Sequence, residues 1–116
     1  GEDNVGKPLD FLTELTSFIQ QRHQEMPEGS YTTALFKKGI SRIAQKVGEE
    51  ALETVIEAVG GTNEKLTYEA SDLLYHLIVL LEAKGLSLDD VANELRKRHD
   101  PEWDKKRRLA KSKQTD

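Results

Sequence analysis

Apolar residues recur along most of this chain at steps of three and four, the repeat of an amphipathic helix, and Gly and Pro interrupt the repeat. Leu9, Leu12, Leu15, Phe18 and Ile19 mark a first helix that runs to about Met26. It starts near Pro8, where a missing N–H is tolerated. Pro27-Glu28-Gly29-Ser30 stops it, Tyr31 to Lys38 makes a short helix or turn, and Gly39 interrupts again. A second long helix is predicted from Ile40 to Val59. Gly60-Gly61-Thr62-Asn63 ends it, and Thr62 or Asn63 caps a third helix that reaches Lys84. Ser87-Leu88-Asp89-Asp90 opens a fourth, to about His99, with acidic residues in its first turn. No β-type alternation of useful length is present. The fold class is all-α, four to five helices in an antiparallel bundle, with residues 1–103 as one domain and 104–116 as a basic, mobile tail.

On a helical wheel Ile40, Ile43, Ala44, Val47, Ala51, Val55 and Ala58 form one apolar arc, and Leu52, Ile56 and Val59 extend it around a second side. A helix apolar over more than half its circumference is buried twice, once in its own subunit and once against another. The bundle is therefore expected to be completed by dimerisation. Composition agrees: 116 residues with 36% apolar and 33% charged make a lean core, which a partner subunit reinforces.

What remains of the second helix is one charged stripe of Lys46, Glu49, Glu50, Glu53 and Glu57. The third helix is apolar from Leu73 through Leu81, yet Glu69, Asp72 and His76 fall within about 60° of one another on its wheel. The short Gly-Gly connection makes these helices antiparallel neighbours, so Glu50 and Glu53 can face Glu69 and Asp72. Two carboxylates about 5 Å apart repel by roughly 3 kcal/mol at an effective dielectric near 20. Several such pairs would strain a domain whose total stability is on the order of 5–15 kcal/mol, and a divalent cation relieves them directly. All-oxygen donors suit Mg²⁺, with Mn²⁺ as a substitute, and no cysteine competes. Glu57 and Glu64 read as ordinary solvated positions. A di-iron site is set aside because neither Glu50 nor Glu69 has a histidine three residues on.

Charge narrows the partners. The net charge is −4, but the stretch from 104 to 116 is locally +4, which leaves −8 on the remainder. An acidic body opposes nonspecific nucleic-acid binding. No apolar run spans a bilayer, and the absence of cysteine fits the cytoplasm.

Glu49-Glu50-x-x-Glu53, fifteen residues, then Glu69-x-x-Asp72 resembles the metal motif of the all-α nucleoside triphosphate pyrophosphohydrolases, which include MazG-like enzymes and dimeric dUTPases. Three longer stretches are similar to the phosphoribosyl-ATP pyrophosphohydrolase family: Pro27-Glu28-Gly29-Ser30-Tyr31-Thr32-x-x-Leu35, Lys46-Val47-Gly48-Glu49-Glu50-Ala51-x-Glu53 and Glu69-Ala70-x-Asp72-Leu73-Leu74-Tyr75-His76. The resemblance implies hydrolysis of phosphoribosyl-ATP to phosphoribosyl-AMP and pyrophosphate, the second step of histidine biosynthesis, by a cytoplasmic homodimer. It implies Glu50, Glu53, Glu69 and Asp72 as Mg²⁺ ligands, with Glu49 completing the cluster or orienting the attacking water. Lys46 is the first choice to meet phosphate, followed by Lys38 and Arg42. Ser30, Tyr31 and Thr32 either cradle substrate or simply form a capped turn, and His76 faces substrate or a ligand carboxylate. In many organisms the family's domain follows a cyclohydrolase domain, which nothing here resembles; the chain begins at Gly1 rather than Met, as a piece of a longer one would. Two rival readings remain: a pyrophosphohydrolase acting on dUTP, dCTP or an aberrant nucleotide, and a non-catalytic helical dimerisation module whose acidic stripe binds a basic partner.

Overall fold

A computed structural model describes residues 7–99, and every element among them is helical: α1 (Asp10–Glu25), α2 (Tyr31–Lys38), α3 (Ile40–Gly60), α4 (Asn63–Ala83) and α5 (Leu88–Arg98). The expected basic tail, 104–116, lies outside the described residues. Pro8 leads into α1 through tight turns, in which Asp10, Phe11 and Leu12 donate to carbonyls three residues back, and the helix proper begins at Asp10. Ser30 caps α2 by accepting from the Thr33 N–H at 3.2 Å, and Thr62 caps α4 by accepting from the Lys65 N–H at 3.1 Å. Ser87 and Asp90 form a reciprocal capping box at the start of α5.

One glycine is required by geometry. Gly39 sits at φ +94°, a conformation L side chains rarely adopt, and lets α3 restart one residue after α2 ends. Gly61 has an ordinary negative φ, and a Cβ there would meet the Glu57 carboxylate, the end of a flexible side chain that can swing aside.

The core is small. Ile19 of α1, Leu35 of α2, Ile43 of α3, and Ile78 and Val79 of α4 are buried together, with Leu15, Phe36, Leu74, Tyr75 and Leu88 packed around them. The Gly61-Thr62 connection makes α3 and α4 the most extensively packed pair of helices. At the far end of the bundle His23 of α1 bonds Glu82 of α4 at 2.7 Å and stacks on Phe36 of α2, tying three helices at one point. Helix α5 is exposed beyond Leu88 and faces α1 across an open groove lined by Leu12, Thr16, Leu88, Val91 and Leu95.

Only part of the apolar arc of α3 enters this core. Ile43 is fully buried, whereas Leu52, Val55, Ile56 and Val59 are more than half exposed. The expected second side is therefore uncovered within one subunit, and Val55, placed on the inner arc by periodicity, lies with it. The reason is that α4 covers one flank of α3 and nothing in the described residues covers the other.

Candidate metal centre

Helix α3 carries Lys46, Glu49, Glu50 and Glu53 along one side, and α4 brings Glu69 and Asp72 to meet them. One carboxylate oxygen from each of Glu50, Glu69 and Asp72 lies within 4.8 Å of the others, and all three side chains are half-buried. Glu53 stays outside that group and is exposed, although its charge still acts on Glu69. Loss of surrounding water, followed by the charges of Glu50, Glu53 and Asp72, pushes the Glu69 carboxyl above the usual carboxylate range. Three carboxylates converge there with a single ammonium, that of Lys46, beside them. A small divalent ion with oxygen ligands fits that donor set, and Glu50, Glu69 and Asp72 are the residues that would hold it.

Lys46 is the one cation paired with the cluster among the described residues. Its Nζ lies 3.5 Å from Glu49 and 3.7 Å from Glu50, at i,i+3 and i,i+4 spacing. Glu49 is exposed and also accepts a hydrogen bond of 2.9 Å from the Gln45 amide. That bond, with help from Lys46 and Arg42, lowers the Glu49 carboxyl below its ordinary value despite partial loss of solvent. Glu49 on α3 and Glu69 on α4 are thus electrostatically distinct: the first is held ionised by donors, the second is pressed toward protonation by loss of water and by its neighbours. Lys38 and Arg42 make no ion pair among the described residues; Lys38 is exposed in the last turn of α2 and Arg42 is half-buried near the start of α3.

The segment Ser30–Thr32 lies at the N-terminus of α2 and is joined to α4 one turn past Asp72. Tyr31 Oη is 3.0 Å from His76 Nε2, and the Thr32 hydroxyl shares a short hydrogen bond with the Tyr75 hydroxyl. His76 Nδ1 lies 2.8 Å from the Asp72 carbonyl. A carbonyl only accepts, so in the neutral ring Nδ1 carries the hydrogen and Nε2 accepts from Tyr31. His76 is only 5% exposed, and both of its ring nitrogens are engaged within the protein. Burial pushes the Tyr75 phenol up, with the Thr32 bond opposing, so Tyr75 keeps a hydrogen to share. Tyr75 belongs to a family-like stretch but is no candidate site residue by pattern: a tyrosine in an apolar helix reads as core, and its partner lies 43 residues away.

Comparison with known proteins follows the same residues. The family model described as phosphoribosyl-ATP pyrophosphohydrolase matches residues 12–99. The histidine biosynthesis bifunctional protein HisIE of Bacteroides thetaiotaomicron is 60% identical over 105 residues, 90% of this chain and 51% of the relative. The protein of the same name from Bacillus subtilis is 49% identical over 98 residues, 84% of this chain and 47% of the relative. The phosphoribosyl-ATP pyrophosphatase of Metallosphaera sedula is 53% identical over 89 residues, 77% of this chain and 96% of the relative. The chain thus spans about half the length of the bifunctional relatives and nearly all of a single-function one.

Proposed function

The chain belongs to the phosphoribosyl-ATP pyrophosphohydrolase family, and from that premise we propose that it hydrolyses phosphoribosyl-ATP to phosphoribosyl-AMP and pyrophosphate in histidine biosynthesis. The observation that carries the reading is the convergence of Glu50, Glu69 and Asp72 from two helices inside the matched region. A polyanionic substrate would be repelled by such a cluster alone, so the proposal includes Mg²⁺, or Mn²⁺ in its place. Bound there, the ion would supply charge neutralisation for the triphosphate oxygens and acidify water.

The protein's own residues then divide the work. Glu50, Glu69 and Asp72 would hold the ion, with Glu53, one turn from Glu50, as the fourth carboxylate beside them. Glu49, kept ionised by Gln45 and Lys46, accepts a proton from the water that attacks the α-phosphorus as the bond to the β,γ-pyrophosphate breaks. Lys46 offers its ammonium to phosphate oxygens, Arg42 and Lys38 reinforce it, and Ser30, Tyr31 and Thr32 contact the substrate beyond the phosphates. The exposed row Leu52, Val55, Ile56 and Val59 supports a homodimer, in which a second copy covers this face. No described helix is long and apolar enough to cross a membrane, and a cytoplasmic location accords with the pathway.

Incubation with phosphoribosyl-ATP should release pyrophosphate with Mg²⁺ and not without it. Release from dUTP or dCTP instead would favour the related nucleotide pyrophosphohydrolases. No turnover together with metal-independent binding of a basic partner would favour the dimerisation module. Sedimentation that finds only monomers at micromolar concentration would remove the homodimer.

A further inference from the structure

His76 is a buried imidazole on the helix that carries Asp72, and no exposed face of it is free to meet a substrate. Its Nδ1–H points back to the Asp72 carbonyl at 2.8 Å, which fixes the ring against the turn holding that carboxylate. Its Nε2 accepts from Tyr31 at 3.0 Å, and its ring meets those of Tyr31 and Tyr75 edge-on, with centroids 5.9 and 5.2 Å away. Tyr31 is different: the residue is 55% exposed, while its hydroxyl is spoken for. One residue further, Thr32 is tied to Tyr75, so two consecutive residues of α2 are bonded to two consecutive residues of α4.

We infer that His76 is a positioning residue that acts through Tyr31, holding the Ser30–Thr32 segment at a set place relative to the Asp72 turn, and that it touches neither substrate nor metal. The inference rests on the reading of Ser30–Thr32 as a substrate-contacting segment. Its physical content is registration. A substrate held at one end by metal-bound phosphates and at the other by the α2 N-terminus binds well only if the two supports keep their separation, and free rotation of Tyr31 would remove that preorganisation.

The test is a double-mutant cycle on steady-state hydrolysis of phosphoribosyl-ATP with saturating Mg²⁺. Tyr31→Phe keeps the ring and removes the bond; His76→Leu removes the acceptor; His76→Gln keeps an amide that can accept from Tyr31. One hydrogen bond corresponds to roughly a five-fold effect, expected in KM with kcat within about two-fold of wild type. The double variant Tyr31→Phe/His76→Leu should be no worse than the poorer single variant, and His76→Gln should recover part of the loss. Mn²⁺ affinity without substrate should be unchanged in Tyr31→Phe.

Additive effects would show His76 meeting substrate by itself and overturn the inference, as would a fall in kcat alone. Should His76→Leu fail to fold, the Tyr31→Phe/His76→Gln pair decides in its place: additivity there overturns the inference equally. A wild-type protein that releases no pyrophosphate removes the underlying reading, and this inference with it, whereas an active wild type with an additive cycle removes the inference alone.

Discussion

Two polar clusters sit within one turn of each other on α4 and obey opposite rules. Around Tyr31, Thr32, Tyr75 and His76, donors meet acceptors between α2 and α4. Around Glu50, Glu69 and Asp72, three carboxylates converge and the Lys46 ammonium beside Glu50 is the one cation paired with them among the described residues. A satisfied network fixes a conformation, and an unsatisfied one of like charge stores repulsion until something of opposite sign arrives. The contrast separates a half whose polar groups are satisfied within the protein from a half whose charges are not, without reference to any relative.

Substitution should separate the two most sharply. Asp72→Asn is expected to lower pyrophosphate release by at least about 100-fold while raising the melting temperature of the metal-free protein, because one repelling charge is gone. Thr32→Val should do the reverse in stability, lowering it by about 1 kcal/mol as Tyr75 loses its partner. If both variants melt lower than wild type, the carboxylates are held by contacts other than their charge, and the contrast fails.

A smaller effect is expected from metal alone. At a concentration about 100-fold above its dissociation constant, Mg²⁺ or Mn²⁺ should stabilise the wild type by about 2.7 kcal/mol, several degrees in a domain this size. Glu50→Gln should lose most of that gain. An unchanged melting temperature at millimolar metal would mean that the three carboxylates need substrate to complete the site.

The smallest effect concerns pH. Folding raises the Glu69 pKa above its ordinary 4.5, so the folded protein holds that proton more tightly than the unfolded chain. Glu69 therefore adds stability below about pH 4.5 that is lost as pH rises through its raised value. In metal-free protein, Glu69→Gln should reduce the fall in stability across that window, and Mg²⁺ should cancel the fall. Glu49 has the opposite sign: its lowered pKa adds stability that is present above about pH 4.5 and lost as pH falls through its lowered value, so Glu49→Gln should remove that acid-side loss and leave the fall above pH 4.5 in place. A Glu69→Gln profile parallel to that of the wild type would show that Glu69 feels its neighbours less than their spacing implies.

The carboxylate half was legible in the sequence because its logic is local. Heptad-like periodicity placed α3 and α4, Gly60-Gly61 set them antiparallel, and Asp72 stood out as a charge in an apolar helix. Helix limits came within a residue or two for the same reason, since caps such as Ser30, Thr62 and Ser87 act over three residues. The hydrogen-bonded half was not legible. Tyr31 and His76 are 45 residues apart, and nothing in either neighbourhood announces the other. The wheel did place His76 near Asp72, yet it could not tell a ring facing solvent from one closed in by two tyrosines. Nor could apolar periodicity assign Val55 to a covered or an open flank of α3, because that depends on what packs beside it.

The two-residue link between α3 and α4 also has a consequence in time. Glu50 and Asp72 meet by closing a single helical hairpin, a contact of short sequence separation, and such contacts form early and fast. The Tyr31–His76 bond must wait for α2 to dock across a much longer stretch of chain. During folding, the carboxylate hairpin is therefore ready before the Tyr31–His76 contact, and under the proposed function an ion captured by the young hairpin would favour the very pairing on which the later docking depends.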